Sequence, residues 1–366
     1  MYRIIDAVKE YGATFDTPAV VVLEDRMREN ISRMQAFADE HGVALRPHVK
    51  THKSIDIAHL QMRAGAVGIT VSNLYQAEVF AVAGITDVFV AFPIWASDSK
   101  AKRIKRLLAG IELKIGVESR EAVDAMVEQG LAGLPGLELV IEVDCGAKRT
   151  GIPPETAGEL AAYAEAAGLR VAGVYTYPGH GWAAGAAEGA ARDQERALAT
   201  AAASLRSAGV DPRIVSAGST PTAKFSTGSV ITEIRPGEYV FYSMDHYNHQ
   251  VCAWDDIALF VVTTVVSRGS GDKQIIDVGT MALGREVNED GNYGWIAGNG
   301  GAVSRVNEYH GFLDVGEGPG HAVGTTLPLI PNHSCTVVQN FKELIILNAD
   351  TGEREIYPVN QFGRPA

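Results

Sequence analysis

Apolar and polar positions along this chain fall into two textures. Up to about residue 241, short β-branched runs alternate with segments whose apolar residues recur at helical spacing. Pro18-Ala-Val-Val-Val-Leu-Glu24 reads as a strand and the stretch from Asp25 to Phe37 as a helix. The alternation continues through a strand at Leu45, a helix over Ala58 to Ala64, a strand at Gly68-Ile-Thr-Val71 and a helix over Leu74 to Ala83. Further strands follow at 87–92, 113–117, 137–143, 171–175 and 213–216, flanked by Ala- and Glu-rich helical segments. Strands interleaved with helices require right-handed parallel crossovers, and about eight such units close into a barrel of about 250 residues. From about Tyr242 the helical period nearly disappears. The runs 257–266, Gln274-Ile-Ile-Asp277 and Glu343-Leu-Ile-Ile-Leu347 read as strands, with turn clusters such as Glu289-Asp-Gly-Asn292 between them. The pattern predicts an α/β fold: a (β/α)8 TIM-type barrel over residues 16–241, then a second, all-β domain over 242–366, which residues 1–15 could join.

Composition narrows the partners. A chain of 366 residues is long enough for two domains. Its formal charge of −12 speaks against nucleic acid or an anionic membrane surface as the main partner and points to a small molecule, although the basic stretch 46–53 could still bind a phosphate. Cys145, Cys252 and Cys335 are widely spaced and odd in number, which fits a reducing compartment better than a disulfide framework. The start, MYRIIDAVKEYG, carries charges where a signal peptide needs an apolar run, and no apolar stretch approaches the ~20 residues of a membrane span. A cytoplasmic protein is expected.

Five short stretches carry candidate chemistry. Arg46-Pro-His-Val-Lys-Thr-His-Lys53 gathers cations around Lys50, and a lysine that forms a Schiff base needs a pKa depressed by burial or by neighbouring positive charge. Arg46, His48, His52 and Lys53 supply that surrounding in sequence; a plain basic loop is the alternative. Ser216-Ala-Gly-Ser-Thr-Pro-Thr222 follows a late strand, where barrels favour phosphates, with Gly218 allowing close backbone approach and Ser219 and Thr220 as hydroxyl donors. An ordinary turn would look the same. Glu142 to Gly151 ends another strand in charges and a glycine turn, where Arg149 reads by itself as a strand-end surface arginine. Val174 to Trp182 gathers Tyr175, Tyr177, His180 and Trp182 at a strand end. Pro331-Asn-His-Ser-Cys335 places His333 and Cys335 two apart; on an extended segment both face one side and can share a metal ion. A buried histidine beside a structural cysteine is the competing explanation.

The RPHVKTHK segment, placed shortly after DTPAVVV, resembles the N-terminal lysine motif of the D-threonine aldolase and D-serine dehydratase family, fold-type III pyridoxal-phosphate enzymes related to alanine racemase. The resemblance covers nearly the whole chain. It implies that Lys50 carries pyridoxal 5'-phosphate, that GSTPT cups its phosphate through Gly218, Ser219 and Thr220, and that Arg149 of VDCGAKRTG lies beside the cofactor. Tyr175 matches a dehydratase tyrosine and Tyr177 an aldolase tyrosine in the element that hydrogen-bonds the pyridine nitrogen. A C-terminal His-x-Cys pair in this family binds a catalytic divalent metal, which makes His333 and Cys335 the metal ligands; the thiolate favours Zn²⁺, while Mn²⁺ is typical of the His-x-Asp variants. The aldolases carry a histidine six residues past the second tyrosine as base on the β-hydroxyl. Here that position is Ala183, with His180 the nearest substitute. Asp277 to Leu283 and Arg235 to Tyr242 also resemble family elements, for which a scaffolding role suffices.

The implied activity is that of a pyridoxal-phosphate- and metal-dependent lyase acting on β-hydroxy-D-amino acids, in a homodimer. Retro-aldol cleavage to glycine and an aldehyde, the D-threonine aldolase reaction, is placed first on RPGEYVFYSMD and the family's wide bacterial membership. D-Serine dehydration to pyruvate and ammonia is the alternative, favoured by His-x-Cys, GSTPT and the Gly-His after the tyrosine. A racemase, or a non-catalytic pyridoxal-phosphate carrier, would lack the metal.

Overall fold

The structure is a computed structural model that describes residues 2–269, 273–298 and 300–362. The first nine strands are β1 (Ala19–Leu23), β2 (Ala44–Leu45), β3 (Ile69–Val71), β4 (Asp87–Pro93), β5 (Glu112–Val117), β6 (Leu137–Glu142), β7 (Val171–Tyr175), β8 (Ile214–Ala217) and β9 (Glu233–Ile234). Eight more follow: β10 (Leu259–Ser267), β11 (Gln274–Ile276), β12 (Gly294–Ile296), β13 (Ala302–Val306), β14 (Gly311–Asp314), β15 (Thr326–Pro331), β16 (Glu343–Leu347) and β17 (Arg354–Pro358). The chain divides into two compact units, one built from residues 33–50 and 58–237, the other from 2–32, 51–57 and 238–362.

In the first unit β2 to β9 form an all-parallel sheet in the order β2-β9-β8-β7-β6-β5-β4-β3. A parallel bridge between His48 and Thr70 closes the ring, reinforced by Val49 N donating to Thr70 O (3.0 Å) and Thr70 N to Pro47 O (2.9 Å). The lysine motif is therefore itself the seam of the barrel. Helices fill the crossovers, and three begin where side-chain acceptors stop the strand texture: Asn73, Ser97 and Ser119 cap the backbone amides of Gln76, Lys100 and Ala122.

The strand–helix alternation assigns the barrel one strand too early. The run at 18–24 is β1, which pairs antiparallel with β10 and in parallel with β16 in the second unit. The eighth barrel strand is β9, between β8 and β2. Five consecutive buried residues read alike in either kind of sheet, and a two-residue strand leaves no period to detect.

In the second unit β10-β11-β14-β13-β12-β15 close into a six-stranded antiparallel ring through the β10–β11 and β10–β15 ladders. β1, β16 and β17 continue the sheet outward from β10. The helix Tyr2–Tyr11 lays Ile4, Ala7 and Val8 into a core with Val21, Leu23, Phe260, Val262 and Ile330. Their i, i+3, i+4 spacing puts those three side chains on one helical face.

Candidate functional site

In the second unit β15 runs into the segment Asn332 to Thr336, where polar residues alternate in role. Asn332 and Ser334 are buried and tie the segment down: Asn332 Nδ2 donates to the carbonyls of Asn292 (2.6 Å) and Glu286 (3.1 Å), and Ser334 Oγ donates to Tyr242 O (2.8 Å). His333 and Cys335 carry the ligand atoms. His333 is extended (φ −139°, ψ 122°), but Cys335 lies in the first turn of the short helix Ser334–Gln339, so the continuous extended segment assumed from spacing is not what aligns them. The helix turn does.

A third donor joins them. One ligand atom each of Glu238, His333 and Cys335 lies within 4.8 Å of the other two. His333 Nδ1 stands 3.3 Å from Glu238 Oε1, close to the roughly 3.3 Å edge of a tetrahedron with ~2.0 Å metal–ligand bonds. Glu238 is 8% exposed, and its Oε1 makes no hydrogen bond within the described residues. A buried carboxylate oxygen left in that state, beside an imidazole and a thiol, suits a divalent cation. A scaffolding role was expected of the Glu238 element; the signal in the sequence is an acid set directly before the apolar run Tyr239-Val-Phe-Tyr242.

Charges around this cluster are displaced from their ordinary values. Burial works against a charged His333, but Glu238 and Cys335 outweigh it and raise its pKa to about 10. His246, 1% exposed, is driven by burial down to about 4 in spite of Glu238, and burial lifts Asp245 to about 6. Thr51 Oγ1 lies 3.2 Å from Cys335 Sγ, and Lys53 Nζ donates to Cys335 O at 3.1 Å.

The cations expected around Lys50 have partners of their own. Lys53 is spent on Cys335, and Arg46 is also spoken for: its guanidinium, 3% exposed, binds Glu233 (2.7 Å) and Asp87 (2.6 and 3.2 Å). His52 Nδ1 accepts from Ser54 N at 3.1 Å. Of the motif's cations, Arg46 is held by carboxylates on distant strands, which outcompete a neighbour in sequence for a buried charge. Lys50 itself is partly buried, just past the barrel seam.

Within the barrel unit Tyr175 is 1% exposed and its hydroxyl donates to Glu142 Oε2 at 2.9 Å; burial and that carboxylate push its pKa well above the usual tyrosine range. Gly116 makes room for it, since a Cβ there would stand 2.2 Å from the hydroxyl. Tyr175 thus gives its only proton to Glu142. Tyr177 lies under the Arg149 guanidinium, 4.6 Å from ring centre to Cζ. His180 Nε2 stands 3.2 Å from Asp193 Oδ2, an arrangement that fixes the ring, while Ala183 closes the turn Gly179–Trp182 and offers no titratable group.

The Gly218 turn after β8 has φ +89°, which favours glycine. Its amides are internally engaged: Gly218 N donates to Gln194 Oε1 (2.8 Å) and Ser219 N to Thr222 Oγ1 (3.0 Å). Thr220 Oγ1 accepts from Gly237 N at 3.3 Å. With the Gly218 and Ser219 amides engaged, the Ser219 and Thr220 hydroxyls are the groups of this turn that suit a phosphate.

Comparison with known proteins agrees with this layout. The family model for the alanine racemase N-terminal domain matches residues 22–245, and one for a serine-dehydratase-type domain matches 258–347. The chain is 37% identical over 364 residues to D-threo-3-hydroxyaspartate dehydratase of Delftia sp. (strain HT23), covering 92% of this chain and 95% of that one. It is 30% identical over 339 residues to D-threonine aldolase of Arthrobacter sp., covering 88% and 86%. The solved structure of the Delftia dehydratase matches with a TM-score of 0.88 and 34% identity over 96% of this chain and 99% of that one. With both family models in chain order, and relatives aligned along almost the full length, the chain belongs to the fold-type III pyridoxal-phosphate family of D-threo-3-hydroxyaspartate dehydratase, D-threonine aldolase and D-serine dehydratase.

Proposed function

We propose that this protein is a pyridoxal-phosphate- and divalent-metal-dependent lyase of β-hydroxy-D-amino acids whose main reaction is dehydration to an oxoacid and ammonia. The observation that carries the reading is one of connectivity. A single peptide bond separates Lys50 from Thr51, whose hydroxyl lies 3.2 Å from the Sγ of Cys335 in the Glu238–His333–Cys335 cluster.

Lys50 holds the cofactor, and Gly218, Ser219 and Thr220 take its phosphate. When bound, pyridoxal phosphate supplies an electron sink for charge developing at Cα. Lys50 Nζ would be the group to take the α-proton. His333 and Cys335 hold a divalent ion, Zn²⁺ or Mn²⁺, which when bound supplies a Lewis acid for a hydroxyl oxygen. Arg149 over Tyr177 orients the cofactor ring or a substrate carboxylate. Tyr175 has its proton committed to Glu142.

Two considerations support dehydration over the retro-aldol order read from sequence. Ala183 occupies the position of the aldolase base, and the 37% identical relative is a dehydratase of a β-hydroxy-D-amino acid. Retro-aldol cleavage is the second reading, because His180 is held by Asp193 as a base on the hydroxyl would need to be. Incubation with D-threo-3-hydroxyaspartate, D-serine and D-threonine decides between them. Oxoacid and ammonia are expected; glycine and an aldehyde in equal amounts would put the aldolase first, and racemised substrate alone would overturn both. Light scattering tests the implied homodimer. Among the described residues no helix is long and apolar enough to cross a membrane.

A further inference from the structure

We infer that Glu238 is the third protein ligand of the metal and that His246 and Ser243 form a positioning relay which holds its carboxylate. The inference rests on the metal-dependent reading above and goes beyond the His-x-Cys pair. Glu238 sits in the turn Glu238–Val240, after the barrel unit ends, and presents its two oxygens to two different histidines. Oε1 lies 3.3 Å from His333 Nδ1 and makes no hydrogen bond within the described residues. Oε2 lies 3.9 Å from His246 Nε2. On the far side of that ring, Ser243 Oγ lies 2.8 Å from His246 Nδ1.

The two ends of the carboxylate therefore have separate roles. A Ser243 hydroxyl that donates to Nδ1 leaves the ring proton on Nε2, the nitrogen that faces Glu238. A small movement of Glu238 Oε2 toward that N–H turns Oε1 toward His333 and Cys335, the direction in which an ion would draw it. Outer-shell hydrogen bonds of this kind set the orientation and basicity of a ligand, and their loss commonly costs about 10–100-fold in metal affinity.

The third ligand also changes the chemistry of the site. A neutral imidazole and one thiolate leave a divalent ion with a net single positive charge; a carboxylate brings the set to neutrality. Neutrality raises retention of the ion and makes the donor set of one nitrogen, one sulfur and one oxygen tolerant of both Zn²⁺ and Mn²⁺. With three protein donors, a four-coordinate ion keeps one position open for a substrate oxygen.

The test measures metal rather than turnover. Wild type and the variants Glu238→Gln, His246→Gln, Ser243→Ala and Cys335→Ala are stripped, titrated with Zn²⁺ against a competing chelator, and loaded with Co²⁺ for absorption spectra. Glu238→Gln should bind Zn²⁺ at least about 10-fold more weakly while its cobalt form keeps the thiolate charge-transfer band and changes its visible bands. His246→Gln and Ser243→Ala should weaken binding by smaller factors with the same band retained. If Cys335→Ala loses metal while Glu238→Gln binds as wild type does, the third-ligand inference is overturned and the His–Cys site stands. If neither variant changes affinity, the metal-dependent reading falls with it. Should Glu238→Gln fail to fold, unchanged affinity in both His246→Gln and Ser243→Ala overturns the proposal, and a loss in both supports it.

Discussion

Two clusters of buried charge, one in each unit, are built in opposite ways. Inside the parallel barrel the charges close on one another: Arg46 lies between Glu233 and Asp87, Lys114 shares Asp87 (2.8 Å), and Ser216 donates to Glu233 (2.5 Å) while accepting from Arg235. Arg235 Nη2 ends on Thr176 O at 2.6 Å, and Glu142 is shared by Tyr175 and Thr150 (2.7 Å). Three cations face three carboxylates, each with at least one polar partner. In the antiparallel unit the buried Glu238 carboxylate keeps an oxygen that makes no hydrogen bond, next to two other metal-type donors. Complete pairing marks a scaffold, because burying a charge is tolerable when its partners are built in. A buried carboxylate oxygen without a hydrogen bond, at a cluster of donors, marks a place prepared for something else.

The sharpest way to break this contrast is to remove a residue that belongs to neither side of it. Lys50→Ala should abolish the visible absorption of the bound cofactor and all turnover, with little loss of stability to urea. A borohydride-reducible adduct surviving in that variant would instead point to Lys53. Metal chemistry comes next. EDTA should take turnover to background with the cofactor spectrum nearly intact, and Zn²⁺ or Mn²⁺ should restore it. Cys335→Ala should lower metal content and activity together; elemental analysis of Cys145→Ala and Cys252→Ala should match wild type. A metal-free enzyme with full turnover would remove the distinction drawn here.

On the scaffold side, Glu233→Gln leaves Arg46 short of a carboxylate deep in the barrel and should destabilise by about 3–5 kcal/mol in urea denaturation. A cost below about 1 kcal/mol would mean that the barrel's ion pairs are no more structural than surface ones.

The smallest effect is a pH dependence of the chelated protein. His246 charges near 6.5 in the unfolded chain but near 4 in the fold, so its contribution is full above 6.5 and is lost as pH falls to about 4. Asp245 runs the other way. Raised from 3.8 to about 6, it contributes fully below 3.8 and loses that contribution as pH rises to about 6. The two slopes oppose each other. Asp245→Asn removes one of them, so the variant's stability relative to wild type should fall as pH is lowered from about 6 to 4; a flat difference in urea titrations would show that Asp245 is not held protonated.

Local structure and the chemical inventory are legible along the chain. Alternating β-branched and helical runs specified a barrel, the loss of helical period specified a β domain, and Lys50, Ser219, His333 and Cys335 stood out because each lies in a short contiguous motif. Local hydrogen bonding and the face a residue presents are set within a few neighbours, so those features survive without coordinates. Only the tertiary structure decided which elements share a sheet and which charges meet. β1 left the barrel because its partners, β10 and β16, come from the far end of the chain. Arg46 met a carboxylate 187 residues away, Thr51 reached Cys335 across 284, and Glu238 became a ligand candidate beside His333. The physical reason is common to all of them: a buried charge or an all-apolar strand takes the partner that the packed fold brings to it, and distance along the chain carries no record of that choice.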